Sequence, residues 1–248
     1  MSASATSAYV FQGRPVAMPV VVRDAASAAA TYLVSTEVAR RLLPGPELEP
    51  LELLPGRALF SIAAIDYRDN DLGDYNEVSL AFFVRARGTP GGFPYLGTLL
   101  DFVRNRVATY IWKLPVTQSF TKDAGYGIWG FPKTVDVIDF RDLAGRRECR
   151  LVMDGRHVLT FTGLATGTRT LPDTPMVTYS YVHGKLHKTT FVAGASEVGF
   201  ALGGATLVLG DHPIADELRA LGLPKVPLMT VWMGKQHGRF EAPAPVGR

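Results

Sequence analysis

Runs of alternating apolar and polar residues, turn residues at short intervals, and few stretches with helical spacing predict an α+β fold, mostly antiparallel β-sheet or barrel with a few short helices. The hairpin signals are the firmest of these observations. Asp154–Gly155 divides the apolar runs of "RECRLVMDGRHVLTFTGLA", and His183–Gly184 divides "MVTYSYVHGKLHKTTFV" in the same way. Asp-Gly suits a two-residue hairpin turn because both positions tolerate a left-handed backbone. No internal repeat, low-complexity tract or linker interrupts the 248 residues, so a single domain over 1–248 is expected, with residues 1–7 disordered at its start.

Taken in order, Val20–Val22 and Thr31–Val34 favour strand at both ends of a stretch whose alanines favour helix. Ser35 is placed to cap a short helix over "TEVARRLL", which Pro44 and Gly45 stop, and "PGPELEP" is loop. "RALFSIAAIDY" and "YNEVSLAFFVRAR" read as strands on either side of the turn-rich "RDNDLGD", with Glu77 at the start of the second. "TLLDFVRNRVATYI" reads as a short helix or as two pieces broken at Arg104–Arg106, and "WKLPVTQSF" as extended chain. A short helix over "KDAGYGIW", capped by Ser119 or Thr121, runs into Gly130 and Pro132. Beyond it the pattern is antiparallel β, apart from the helix "HPIADELRALGL" with Pro213 in its first turn.

Composition narrows the function. Hydrophobic residues make up 47% and charged residues 20%, with a mean hydropathy of +0.10; this is slightly apolar for a soluble monomer and points to a homo-oligomer. The net charge of +3 comes without a long run of either sign, and the densest basic cluster, Arg146, Arg147 and Arg150, is too small for a nucleic-acid face. Cys149 is the only cysteine, which rules out an intrachain disulfide and fits a reducing compartment. The first residues lack the pattern of a signal peptide, and no stretch approaches the ~18 apolar residues of a membrane span. A cytoplasmic protein without membrane or nucleic-acid partners is expected.

Two motifs fail on inspection. "GYGIWG", Gly125 to Gly130, matches G-x-G-x-x-G, but a dinucleotide site needs a strand before that motif and a long helix opening from it; here Pro132 and the strand-like "TVDVIDF" follow. His183 and His187 have metal-ligand spacing only on a helix, and "GKL" between them reads as a turn and returning strand. Neither a metal nor a cofactor is expected.

Lys133 stands apart from the other lysines. Phe131 and Pro132 precede it, Trp129 lies four residues back, and Val135 follows, so its ammonium is expected in a dry neighbourhood. Desolvation disfavours the charged form and lowers a lysine's pKa, leaving free amine to attack a carbonyl.

"IWGFPKTVDVIDF" resembles the acetoacetate decarboxylase family, whose signature is an aromatic residue, a proline and the Schiff-base lysine; here these are Phe131, Pro132 and Lys133. "GDYNEV" is similar to the segment that carries the family's essential glutamate, at Glu77, and "LLPGPELEP" to the loop after its first helix. The resemblance implies an acetoacetate decarboxylase-like fold and a cofactor-independent carboxy-lyase acting on a small keto acid. It implies Lys133 as nucleophile, Glu77 as proton carrier and Arg23 as the group that orients the substrate carboxylate, with Tyr75, Trp129, Phe131 and Thr134 around the substrate. Activation of the lysine by a dry pocket or a cationic neighbour is a property of that family and is carried over with the resemblance. Two positions depart from the pattern. Thr134 stands where decarboxylases have a second lysine, and Ser61 lies where a further glutamate is frequent. Relatives with altered pockets resemble aldolase-dehydratases or cyclases acting on pyruvate and other keto acids; an apolar-ligand binder with an inert Lys133 is the reading of another class.

Overall fold

The alanine-rich stretch is one continuous 16-residue strand, β1 (Val20–Ser35). Ala26, Ala28, Ala30 and Tyr32 are buried on one face, while Ser27, Ala29 and Thr31 line a cavity on the other. That period of two belongs to a strand occupied on both faces, so packing overrides the alanines' helical preference. This computed structural model describes residues 9–88, 95–104 and 106–247; the start expected to be disordered, 1–7, lies outside them.

After β1 come β2 (Arg57–Asn70), β3 (Tyr75–Ala86), β4 (Ala108–Val116) and the short β5 (Lys133–Val135). β6 (Val137–Leu143), β7 (Arg146–Met153) and β8 (Arg156–Leu164) follow, then β9 (Arg169–Val182), β10 (Lys185–Leu202), β11 (Thr206–Leu209) and β12 (Met229–Phe240). Seven of these strands close into a barrel in the order β3, β2, β1, β12, β10, β9, β4, with β4 returning to β3. Every pairing in the ring is antiparallel except that of β9 with β4. The edge of β4 that β3 leaves free is shared: β9 takes Ala108–Tyr110 and β5 takes Leu114–Val116, both in parallel. The stretch "KTVDVIDF" therefore divides at Asp136, β5 staying in the barrel wall and β6 leaving it.

β6, β7, β8 and β11 form a separate four-stranded antiparallel sheet. Its Cys149, Leu151 and Phe161 share one core with Ala28, Phe60 and Ile62 of the barrel's outer face. The approach is close: a Cβ on Gly163 would stand 3.0 Å from that of Ala28. Burial pushes the Cys149 thiol up to about 12, as suits a core residue.

Four helices connect these layers among the described residues. α1 (Thr36–Leu42) is capped by Ser35, whose hydroxyl accepts from the Val38 N–H. α2 (Leu96–Val103) ends before the break expected at Arg104–Arg106. α3 (Ser119–Trp129) starts three residues before the expected "KDAGYGIW", and its cap is Gln118 rather than Ser119 or Thr121: the Gln118 side-chain oxygen accepts from the Thr121 N–H. α4 (Pro213–Ala220) has Pro213 in its first turn and His212 as cap. Both predicted hairpin turns form with the left-handed pairs Asp154–Gly155 and His183–Gly184. No helix among the described residues is long and apolar enough to cross a membrane.

Candidate active site

α3 delivers the lysine. Its end is fixed by Gly130, which adopts φ +67 and donates to the Tyr126 carbonyl at 2.9 Å. A side chain there would be strained, and its Cβ would stand 2.2 Å from the Tyr181 carbonyl oxygen. Phe131 and Pro132 then carry the chain into β5, whose first residue, Lys133, points into the barrel. The lysine stem lies against α3 at Gly125, where a Cβ would come within 2.7 Å of Lys133 Cδ. The two outer glycines of the rejected nucleotide motif thus serve to seat a lysine.

Lys133 Nζ is 2.9 Å from Glu77 Oε2, and both side chains are nearly inaccessible, at 5% and 8% exposed. The ammonium also donates to Thr121 Oγ1 at 2.9 Å and to the Tyr75 hydroxyl at 3.4 Å. Tyr67 stacks on Tyr75 with ring centroids 4.6 Å apart. Glu77 reaches this point because it pairs with Ile65 of β2 on one side and Val116 of β4 on the other, beside the β5 junction. Trp129 and Phe131 stack at 5.7 Å, and the indole N–H donates to the Glu241 carbonyl at 2.9 Å.

The electrostatics overturn the expectation of a depressed lysine. Burial works against the ammonium, but the Glu77 carboxylate, joined by the Tyr75 phenol, more than offsets it, and Lys133 is held above its ordinary value. Burial likewise raises Tyr75 and Tyr67, so both remain neutral phenols. At neutral pH the lysine is therefore an ammonium, and Glu77 is the carboxylate within reach of its proton.

Above this pair the barrel encloses a cavity of about 710 Å³. Lys133 and Glu77 are the only charged residues among the described residues that line it. Tyr75, Trp129 and Phe131 lie in its wall with them.

Two expected site residues lie elsewhere. Arg23 follows Val22, which faces the cavity, so strand alternation turns it outward; it pairs with Asp69 at 2.8 Å and Asp71 at 2.7 Å, half exposed. Those hydrogen bonds hold the guanidinium above its ordinary value, and it does not line the cavity. Thr134 is turned out by the same alternation, one residue past Lys133; it is exposed, and its hydroxyl donates to Asp136. The identity of this residue therefore does not act on the lysine by contact. Ser61 does line the cavity, but it pairs with Ala81, four residues along β2 from the Ile65–Glu77 rung.

Sequence reasoning missed Gln236. Its Oε1 accepts from buried Ser27 Oγ at 3.0 Å, which leaves its amide N–H groups for the cavity it lines. Gln236 pairs with Ala25, Ala25 with Tyr67, and Tyr67 with Tyr75, so it shares the level of the Lys133 site across adjacent strands. Met233 also faces the cavity three residues earlier. Simple alternation would turn Gln236 out; a register shift between Met233 and Gln236 turns it in. Thr121 was placed only as a cap, and no sequence signal marks it as a partner of the lysine.

The sequence matches the family described as Acetoacetate decarboxylase (ADC) over residues 2–235. The chain belongs to this family. Comparison with curated proteins returns no match. Among solved structures, acetoacetate decarboxylase from Legionella pneumophila subsp. pneumophila str. Philadelphia 1 is similar with a TM-score of 0.67 and 15% identity, over 100% of this chain and 98% of that one. The enduracididine biosynthesis enzyme MppR, solved with pyruvate, is similar with a TM-score of 0.61 and 19% identity, over 92% of this chain and 90% of that one. An acetoacetate decarboxylase-like enzyme from Sphingomonas wittichii RW1 gives 0.59 and 12%, over 99% and 100%. At such identities these likenesses establish the acetoacetate decarboxylase-like fold, and the family supports lyase-type chemistry.

Proposed function

We propose that this protein decarboxylates β-keto acids through a Schiff base on Lys133. The observation that carries this reading is one buried lysine–glutamate pair in a cavity with no other charge among its described lining residues. A carboxylate entering such a cavity finds no arginine to hold it. Departure of carbon dioxide removes that charge from an apolar site, where an unpaired ion is costly. A pyruvate aldolase must keep its carboxylate through every step, so the missing cation favours decarboxylation over condensation.

The steps follow from the pair. Glu77 takes the proton of Lys133, converting two buried charges into two neutral groups, and the free amine adds to the substrate ketone to form the C–N bond. The proton of the new C–N–H passes to the oxygen, Glu77 returns its proton to the hydroxyl, and water leaves to give an iminium. The bond to the carboxylate then breaks, its electrons enter the iminium to form an enamine, and carbon dioxide departs. A proton taken up from solvent is added at the enamine carbon. Water attacks the resulting iminium as Glu77 takes its proton. Glu77 returns that proton to the nitrogen, takes the hydroxyl proton as the C–N bond breaks to release the ketone, and passes it to the freed amine, which restores the ammonium–carboxylate pair. The balance is one β-keto acid anion and one proton giving one ketone and one carbon dioxide. Gln236 donates an amide N–H to the substrate oxygens in place of the arginine expected at Arg23.

The test is carbon dioxide release from acetoacetate or a longer β-keto acid, together with borohydride reduction and mass spectrometry of Lys133. Release with an adduct at Lys133 supports the reading. Condensation of pyruvate with an aldehyde and no release from any β-keto acid would replace it, and an unmodified lysine with every keto acid would mark a binding protein. The clean negative control is Lys133→Met combined with Glu77→Gln, which should reduce turnover to the uncatalysed rate. Lys133→Ala alone strands a buried carboxylate, and breaking such a pair costs about 3–5 kcal/mol.

A further inference from the structure

We infer that the substrates are β-keto acids carrying an extended, uncharged apolar chain, with the keto acid end at Lys133 and the chain along the barrel axis. This deepens the decarboxylase reading above and rests on it. The size of the cavity is the first ground. A four-carbon keto acid has seven non-hydrogen atoms and would displace on the order of seven waters, about 200 Å³ at ~30 Å³ each. The cavity measures about 710 Å³, within the ~300–1,000 Å³ that encloses drug-sized ligands. Acetoacetate alone would leave most of it to water against a largely apolar wall.

The shape is the second ground. Glu77, Ser79, Ala81 and Phe83 all line the cavity from β3. Six residues of strand separate the first from the last, about 20 Å at ~3.3 Å per residue, with the reactive pair at one end only. The hollow is written into the sequence as small side chains: Ala63 and Ser61 climb β2 beside them. Opposite, Val231 and Met233 of β12 supply apolar wall.

Charge is the third. Beyond the Lys133–Glu77 end, the polar groups facing the cavity are neutral, among the described residues. A second charge on the far end of the substrate would lose its hydration there without a partner, whereas a hydrocarbon chain gains by leaving water. The reaction keeps the balance given above, and the product is the methyl ketone of the chain.

The test compares the four-, eight- and twelve-carbon β-keto acids with the full-length protein, by initial rates of carbon dioxide release and by borohydride trapping at Lys133. Burial of a methylene is worth about fourfold, so kcat/KM should rise at least tenfold from four to eight carbons. Ala81→Leu, which adds bulk to the hollow, should reduce that eight-to-four ratio at least tenfold, with circular dichroism and melting checking that the barrel is intact. Rates that stay level or fall with chain length, while the four-carbon acid is still decarboxylated and trapped, overturn the chain inference and leave the decarboxylase. No release and no adduct with any of the three overturns the decarboxylase reading and this inference with it.

Discussion

The two faces of β1 use residues of nearly the same size for opposite ends. Ala26, Ala28 and Ala30 face outward and are small so that the four-stranded sheet can come close. Ser27, Ala29 and Thr31 face inward and are small so that nothing fills the barrel. A core excludes space because close-packed neighbours meet; a cavity keeps it because the same kind of side chain has no neighbour across the gap. The difference lies in what the topology brings opposite each face, and it places the shared core outside the barrel and the cavity with the Lys133–Glu77 pair inside.

The sharpest division would be a large loss of rate with little loss of fold. Glu77→Gln should lower decarboxylation by ~10²–10⁴, the usual worth of a positioned acid-base group. It should also let burial dominate at Lys133 and bring its pKa below the ordinary ~10.4, read as the pH dependence of amine labelling. If the rate is unchanged, the inner face holds its chemistry elsewhere. The mirror experiment is Leu151→Ala in the outer core, fully buried, which should cost about 2–5 kcal/mol in denaturant unfolding and leave kcat as it was.

A finer test compares neighbours. Ala28→Val should destabilise by about 1–3 kcal/mol through overpacking against Gly163, whereas Ala29→Val, one residue on, adds its methyl groups to open space and should change the melting temperature little. Equal losses would mean that the inner face is packed after all. The smallest effect concerns alkaline pH. Because the folded-state pKa of Lys133 lies above its unfolded value of ~10.4, the pair stabilises the fold fully below that value. The contribution drains away as pH rises through the folded pKa. The wild type should therefore lose stability in that range relative to the Lys133→Met, Glu77→Gln double variant, measured by melting in parallel.

What was legible in the sequence followed local rules. The hairpins at Asp154–Gly155 and His183–Gly184 show in dipeptides, α4 in its proline, and Lys133 with Glu77 in short segments similar to those of a known family. What was not legible depends on strand phase and on partners distant in sequence. Arg23 is the arginine that the family resemblance implies, but one step of alternation sends it to solvent. Gln236 was hidden by a bulge, which reverses the parity that a reader of alternation would assume. The raised pKa of Lys133 escaped for a related reason: the dry surroundings can be read from Trp129 and Phe131, but the carboxylate that outweighs them arrives from another strand.

The closure of the barrel also orders the birth of the protein. β1, near the start of the chain, pairs with β12, near its end, and β10 takes the other edge of β12. Until Met229–Phe240 has been synthesised and docked, β1 and β10 present open edges, the kind of surface through which nascent chains aggregate. Gln236 arrives with that same strand. The cavity that Gln236 lines is closed only after these two edges are sealed, so under the proposed function turnover would report that the barrel is finished.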